Sequence, residues 1–176
     1  MTKITANVLT ELNRQFNQEL AASHGYRALS LWCDDQNFKG FARFFAKQIA
    51  EEQAHAGKII AHLIDRGALP ELAAVPAPKL NFKSVLDAAQ HAQSMERENT
   101  KGVYAVYEAA LASKDYAAQV LMQWFINEQV EEEAWALEMV ERVQGATCAG
   151  GFSDLDRHIE RYLEEEVREV PSDSKA

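Results

Sequence analysis

The chain is predicted to be all-α: an antiparallel four-helix bundle with a long crossover between its second and third helices and a short fifth helix at the C-terminal end. Three observations predict it. Four long stretches repeat apolar residues with a helical period, Gly and Pro are scarce at 8 and 4 of 176 residues, and the Pro residues gather mostly in one central link.

The first helix is expected over about residues 7–33, with an inward stripe of Leu9, Leu12, Phe16, Ser23, Tyr26 and Ser30. The polar run Asp34-Asp35-Gln36-Asn37 breaks it, and Asn37 is placed to cap the next helix. That second helix, about 38–66, carries Phe41, Phe45, Ile49, Ala56, Ile59 and Leu63 inward, and Gly67 is positioned to end it. Residues 68–82 hold Pro70, Pro76 and Pro78. A link this long in a bundle implies travel along it, so the flanking helices run parallel. Ser84 followed by Asp87 reads as a capping box opening the third helix, about 84–111, with Val85, Ala89, Ala92, Val103, Tyr107 and Ala110 inward. After a turn at Ala112-Ser113-Lys114, the fourth helix, about 116–144, turns Ala118, Met122, Phe125, Ala136, Met139 and Val143 inward, and Gly145 can close it. Ser153 with Asp156 repeats the capping pattern and opens a fifth helix, about 153–163. The acidic tail, residues 164–176, is expected to be flexible. The whole chain, 1–176, reads as a single domain.

Composition narrows function. The formal net charge is −9, from 27 acidic and 18 basic residues, which repels nucleic acid and anionic membrane surfaces and attracts cations. No apolar run is long enough to span a bilayer, and no signal-like apolar core follows Met1. The two cysteines, Cys33 and Cys148, make neither a CxxC nor a disulfide framework. A cytoplasmic protein without nucleic-acid or membrane partners is expected.

The informative anomaly is acidic. Glu19 interrupts the first stripe, Glu52 and His55 the second, Glu96 the third, and Gln129 and Glu132 the fourth, each near mid-helix. In helices of similar length, these positions share one height. Several glutamates in one dry layer repel each other and pay for desolvation. Divalent cations remove both penalties. Glu52-Gln53-Ala54-His55 has the Glu-x-x-His spacing that turns two ligands to one helix face, and a carboxylate-rich set with one imidazole suits iron or manganese better than zinc. The remaining histidines, His24, His62, His91 and His158, lack partner spacing and read as surface residues; Trp32, Trp124 and Trp135 read as packing.

At these residues the chain resembles the ferritins, in particular the bacterial non-haem kind. The likeness runs over about residues 8–163 and is carried by Asn13–Leu20, by Ala50-Glu51-Glu52-Gln53-Ala54-His55, and by Gln123–Gln129 continuing to Glu131-Glu132-Glu133. The resemblance implies iron storage with ferroxidase activity in a cytoplasmic homo-oligomeric shell of 24 subunits, whose four-fold axes the fifth helix lines. It implies that Glu19, Glu52 and His55 hold one iron, and that Glu52, Glu96 and Glu132 hold another, with Gln129 close by and Glu52 bridging. Glu51, Glu128 and Glu131 match a third iron site. Tyr26 matches a tyrosine that donates an electron, which makes Glu52 and Tyr26 the expected catalytic residues. The reactants are Fe(II), two per subunit at the centre, and O2 or H2O2. Bacterioferritins differ in having a second Glu-x-x-His, where this chain reads Gln129-x-x-Glu132, and a haem-binding methionine, where it has Gln53; no haem is expected. The rival readings are a rubrerythrin-like di-iron peroxidase without storage, a mini-ferritin, and a non-catalytic helical scaffold.

Overall fold

A computed structural model describes residues 3–146 and 148–164. Among the described residues there are five helices and no strand: α1 (Ala6–Asp35), α2 (Lys39–Asp65), α3 (Val85–Ala112), α4 (Tyr116–Gly145) and α5 (Ala149–Glu164). The expected tail beyond residue 164 lies outside the described residues.

Cross-helix hydrogen bonds define the topology. Ser30 and Ser23 of α1 donate to the carbonyls of Ala42 and Ile49 of α2, at 2.8 and 3.2 Å, so that pair is antiparallel. Arg14 and Gln18 of α1 reach Gly102 and Asn99 of α3 in the same descending sense. Gln119 Nε2 of α4 donates to the Ala110 carbonyl of α3 across their turn, while Gln129 donates to Thr100. The helices α2 and α3 are therefore parallel, as the crossover demands.

The ends of the helices show where local sequence decides and where it does not. Gly67 takes φ 73° just past α2, the left-handed conformation that closes a helix without a Cβ penalty. Ser84 Oγ accepts from the Asp87 amide at 3.1 Å, and Asp87 accepts from Lys83 N at 2.9 Å, a capping arrangement close to the expected one. Asp115 caps α4 through Ala118 N and is clamped by Arg66 Nη1 at 2.7 and 2.8 Å.

Two expected caps are corrected. Asn37 adopts φ 62° in the turn and does not cap α2. Instead Asp156 of α5 accepts from Gly40 N and Phe41 N, at 3.0 and 3.1 Å. The first turn of α2 is thus satisfied by a residue more than a hundred positions away. The side chain is therefore not capping its own helix, and α5 begins at Ala149 rather than at Ser153. Gly40 permits this approach, because a β-carbon there would overlap the Asp156 carbonyl.

The crossover is held without secondary structure of its own. Asn13 Oδ1 accepts from Glu71 N, Asn17 Nδ2 donates to the Glu71 carbonyl, and Asn17 Oδ1 accepts from Ala73 N, each at 2.8 Å. Two asparagines on α1 thereby pair with extended backbone that would otherwise bond only to water.

The core is divided. One apolar cluster, including Leu29, Phe41, Phe45, Ala89, Met139 and Ile159, fills the end where α5 packs. The other, including Val8, Leu12, Phe16, Ile59, Val106 and Met122, fills the opposite end. The expected stripes are buried except at Leu9, Ser30 and Tyr107, which are half-buried; Val8 takes the fully buried place at the start of α1, and Val106 takes the one beside Tyr107 in α3. Between the clusters lies a buried polar layer.

Candidate metal centre

That layer brings together Glu19 from α1, Glu52 and His55 from α2, Glu96 from α3, and Gln129 and Glu132 from α4, all buried. Helical spacing accounts for the placement: Glu19 follows Phe16 by three residues, Glu52 follows Ile49 by three, and Glu132 precedes Ala136 by four, so each acid occupies an inward position. Among the described residues, no Lys or Arg is buried with them.

Ligand atoms of Glu19, Glu52 and His55 all lie within 4.8 Å of one another. Glu19 Oε2 and His55 Nδ1 are buried and accept or donate no hydrogen bond. Buried polar atoms without partners are uncommon in folded chains, and here they belong to good ligand types facing the same space. The His55 ring stands steeply tilted against those of Trp124 and Phe125, at 5.6 and 5.7 Å between centroids, and Lys58 Nζ lies 3.7 Å from the centroid of the Trp124 ring.

Each glutamate also has a neutral donor. Gln15 Nε2 bonds Glu19 at 2.7 Å, Asn99 Nδ2 bonds Glu52 at 3.3 Å, and Trp135 Nε1 bonds Glu132 at 2.5 Å. Glu96 accepts from the Tyr26 hydroxyl and, at 3.5 Å, from Gln129 Nε2. Gln129 Nε2 also reaches the Glu96 carbonyl and Thr100 Oγ1.

The electrostatics follow from crowding in a dry space. Burial, and then the charges of Glu19 and Glu96, raise the Glu52 carboxyl well above the usual range. Burial and then Glu96 do the same to Glu132. Burial lifts Glu96 to about 7 against the opposing Tyr26 hydrogen bond. Tyr26, fully buried, is pushed up by burial and then by the Glu96 charge. Without a cation, the layer favours partly protonated carboxyls. With divalent ions between the acids, the deprotonated forms become the stable ones.

The residues of the expected third site sit at the margin. Glu51 and Glu131 are exposed and Glu128 is half-buried. Burial raises Glu128, and the charges of Glu131 and Glu51 add to it against His55, so the three share one neighbourhood at the α2–α4 edge of the layer. They do not converge on one point as Glu19, Glu52 and His55 do; among the described residues, that trio is the group of three ligating side chains so gathered.

Sequence reasoning missed the supporting polar residues and the donor role of one aromatic. Gln15, Asn99 and Thr100 are buried polar residues of the same layer. Gln15 precedes Glu19 by four and Asn99 follows Glu96 by three, a spacing that signals a shared helix face. Trp135, read as packing, stands three residues after Glu132 and donates to it. It also packs on Phe44 and Tyr26. Cys33 is buried, and burial raises its thiol to about 12, which removes it from any nucleophilic role. Cys148 is exposed.

An antiparallel helical bundle with a crossover, a capping fifth helix and carboxylates from all four main helices meeting at mid-height defines the class of carboxylate-centred metal-binding bundles. Comparisons with known proteins narrow it. Residues 9–146 match the ferritin-like domain family. A bacterial non-haem ferritin of Staphylococcus aureus strain MRSA252 is 44% identical over 131 residues, 74% of this chain and 79% of that protein. A solved open-pore ferritin of the hyperthermophilic archaeon Archaeoglobus fulgidus superposes with TM-score 0.87 at 32% identity, covering 89% of this chain and 98% of that one. An engineered closed form of the same archaeal ferritin gives 0.86 at 33% identity, covering 89% and 96%. The chain belongs to the ferritin family.

Proposed function

We propose that this protein stores iron and oxidises it: Fe(II) is taken up at the mid-bundle centre, oxidised with O2 or H2O2 as acceptor, and passed as Fe(III) into the cavity of a 24-subunit shell of identical chains. The observation that carries the reading is the convergence of Glu19, Glu52 and His55, with unpartnered ligand atoms, in one buried layer with Glu96 and Glu132.

In this reading Glu19, Glu52 and His55 receive one Fe(II), and Glu52, Glu96 and Glu132 another, with Glu52 shared and Gln129 alongside. Two irons surrendering one electron each match a two-electron acceptor: O2 with two protons becomes H2O2, and H2O2 with two protons becomes two waters. No one-electron oxygen species need escape. The chain's part is geometric and electrostatic. Paired carboxylates favour the higher charge of Fe(III), the apolar clusters above and below restrict water, and Tyr26, beside Glu96, can supply the second electron when only one iron is oxidised. Glu51, Glu128 and Glu131, at the edge of the layer, form a third position on the way out. Net charge of −9 attracts the cation to the chain. No helix among the described residues is long and apolar enough to cross a membrane, in keeping with a cytoplasmic store. A scaffold whose core acids pair with basic residues is disfavoured because, among the described residues, no Lys or Arg is buried in the layer.

The test is Glu52→Ala. Stopped-flow absorbance of Fe(III) formation should lose its rapid phase while circular dichroism and elution volume stay those of the parent. An unchanged rapid phase would place the oxidation elsewhere.

A further inference from the structure

Asn99, the donor to Glu52, is the inner end of a hydrogen-bonded chain that starts at a surface cation. Arg14 Nη1 donates to Gln18 Oε1 at 3.0 Å. Gln18 Nε2 donates to Asn99 Oδ1 at 3.1 Å. Asn99 Nδ2 donates to Glu52 Oε2 at 3.3 Å. Arg14 is fixed on both sides, by Glu11 on its own helix and by the Gly102 carbonyl of α3, at 2.8 and 2.9 Å. The links descend from an exposed guanidinium through half-buried Gln18 to buried Asn99. Both amides point the same way: each accepts from the cationic side and donates towards the carboxylate.

Such an aligned series polarises every member, because a donor whose own carbonyl accepts from a cation becomes a stronger donor. The Gln15–Glu19 bond lacks this reinforcement, since Gln15 Oε1 accepts no hydrogen bond. Glu52 is thus tied through two amides to a cation outside the layer, and the oxygen so held, Oε2, is kept between Asn99 of α3 and His55, whose Nδ1 stands 3.9 Å from it.

The geometry points to Arg14, Gln18 and Asn99 as a positioning relay that holds Glu52 in the orientation needed to be shared between two metal ions. This rests on the metal-centre reading above and adds to it residues that touch no metal. Loss of the relay frees the Glu52 carboxylate to turn fully towards Glu19 and His55. The first ion then keeps its ligands, and the second ion loses its shared one.

Anaerobic titration with Co(II), followed by its visible bands, and calorimetric titration with Zn(II) read both sites without turnover. The parent, Glu52→Ala, Arg14→Met, Arg14→Lys, Asn99→Leu and the double variant Gln18→Leu/Asn99→Leu are compared. The double variant replaces the half-buried and the buried amide by apolar groups of similar size, which leaves no orphaned partner between them. Arg14→Met alters an exposed position and does not threaten folding. Asn99→Leu and the double variant should weaken the second ion about tenfold, the usual effect of removing a partner of a metal ligand, with the first ion's affinity and the cobalt spectrum at one equivalent unchanged. Arg14→Met should weaken the second ion by a smaller factor, and Arg14→Lys should recover part of that loss. Parent-like binding of the second ion by Arg14→Met overturns the relay, whatever Asn99→Leu does. Equal weakening of both ions also overturns it, because it marks a general loosening of the bundle. If the parent binds no ion, or Glu52→Ala binds as the parent does, the metal-centre reading itself fails and the relay falls with it.

Discussion

Gln15 lies directly against Gly102, its Oε1 occupying the place a β-carbon on residue 102 would take. Gln15 in turn donates to Glu19 at 2.7 Å, so the absence of a side chain on α3 sets the position of a ligand on α1. Gly102→Ala should displace Gln15 and release Glu19. We expect a loss of about 1–3 kcal/mol, typical of overpacking, and weaker binding of the first Zn(II) ion. A Gly102→Ala protein with parental Tm and parental zinc isotherm would show that Gln15 can move at no expense.

Metal-free stability should fall as pH rises towards neutrality. A carboxyl with a raised folded-state pKa keeps its proton in the folded chain after the unfolded chain has lost it. For Glu96 that window runs from the ordinary 4.5 to about 7, and Glu52 and Glu132 shift in the same direction. The folded state binds more protons there, so each group subtracts up to ~1.4 kcal/mol per pH unit inside its window. Glu96→Gln should flatten the decline of Tm between pH 5 and 7. A Tm profile identical to the parent's would show that Glu96 is ionised throughout.

The same protons must leave when ions arrive. Zn(II) added to metal-free protein at pH 7 in weak buffer should acidify the solution, and the fall should shrink in Glu52→Ala. Binding without proton release would mean that the carboxyls were already charged.

Asp156 serves α2 rather than its own helix. Asp156→Ala should therefore cost about 1 kcal/mol, the usual worth of a cap, and should loosen α5. Limited proteolysis is expected to cut near residues 146–152 sooner in the variant. Gly40→Ala should do more, because backbone rather than side chain stands in its way. Unchanged cleavage in both would detach the cap from the docking of α5.

The two thiols should report separately. An aromatic disulfide reagent at pH 8 should label Cys148 rapidly and Cys33 only on unfolding, as burial and the raised pKa of Cys33 require. Labelling of both in native protein would mean that the end of the bundle beneath α5 opens readily.

Four helices and the acidic layer were legible because both are periodic. Glu19, Glu52, Glu96 and Glu132 stand out as wrong residues on right stripes, and no fold is needed to see it. The α2 cap was not legible, since Asp156 and Gly40 are distant in sequence and Ser153 offered a nearer, mistaken partner for Asp156. The early start of α5 was hidden by Gly150 and Gly151, whose low helix propensity tertiary packing overrides. The hold of Asn13 and Asn17 on the crossover was not legible because their partners are backbone groups, which carry no signature in the sequence. Asn99 went unnoticed, and only the packing role of Trp135 was legible, for a related reason: a side chain that donates to a buried acid has the same spacing as one that merely packs.

The split of the apolar core has a consequence for how damage spreads. A waist of acids and amides contributes little adhesion, so Phe16 and Met122 at one end, and Phe45 and Met139 at the other, act as two independent grips on the same four rods. Truncations made one at each end should add, whereas pairs within an end should not. Weakening either grip leaves the waist braced from one side only, and the waist carries the proposed metal centre.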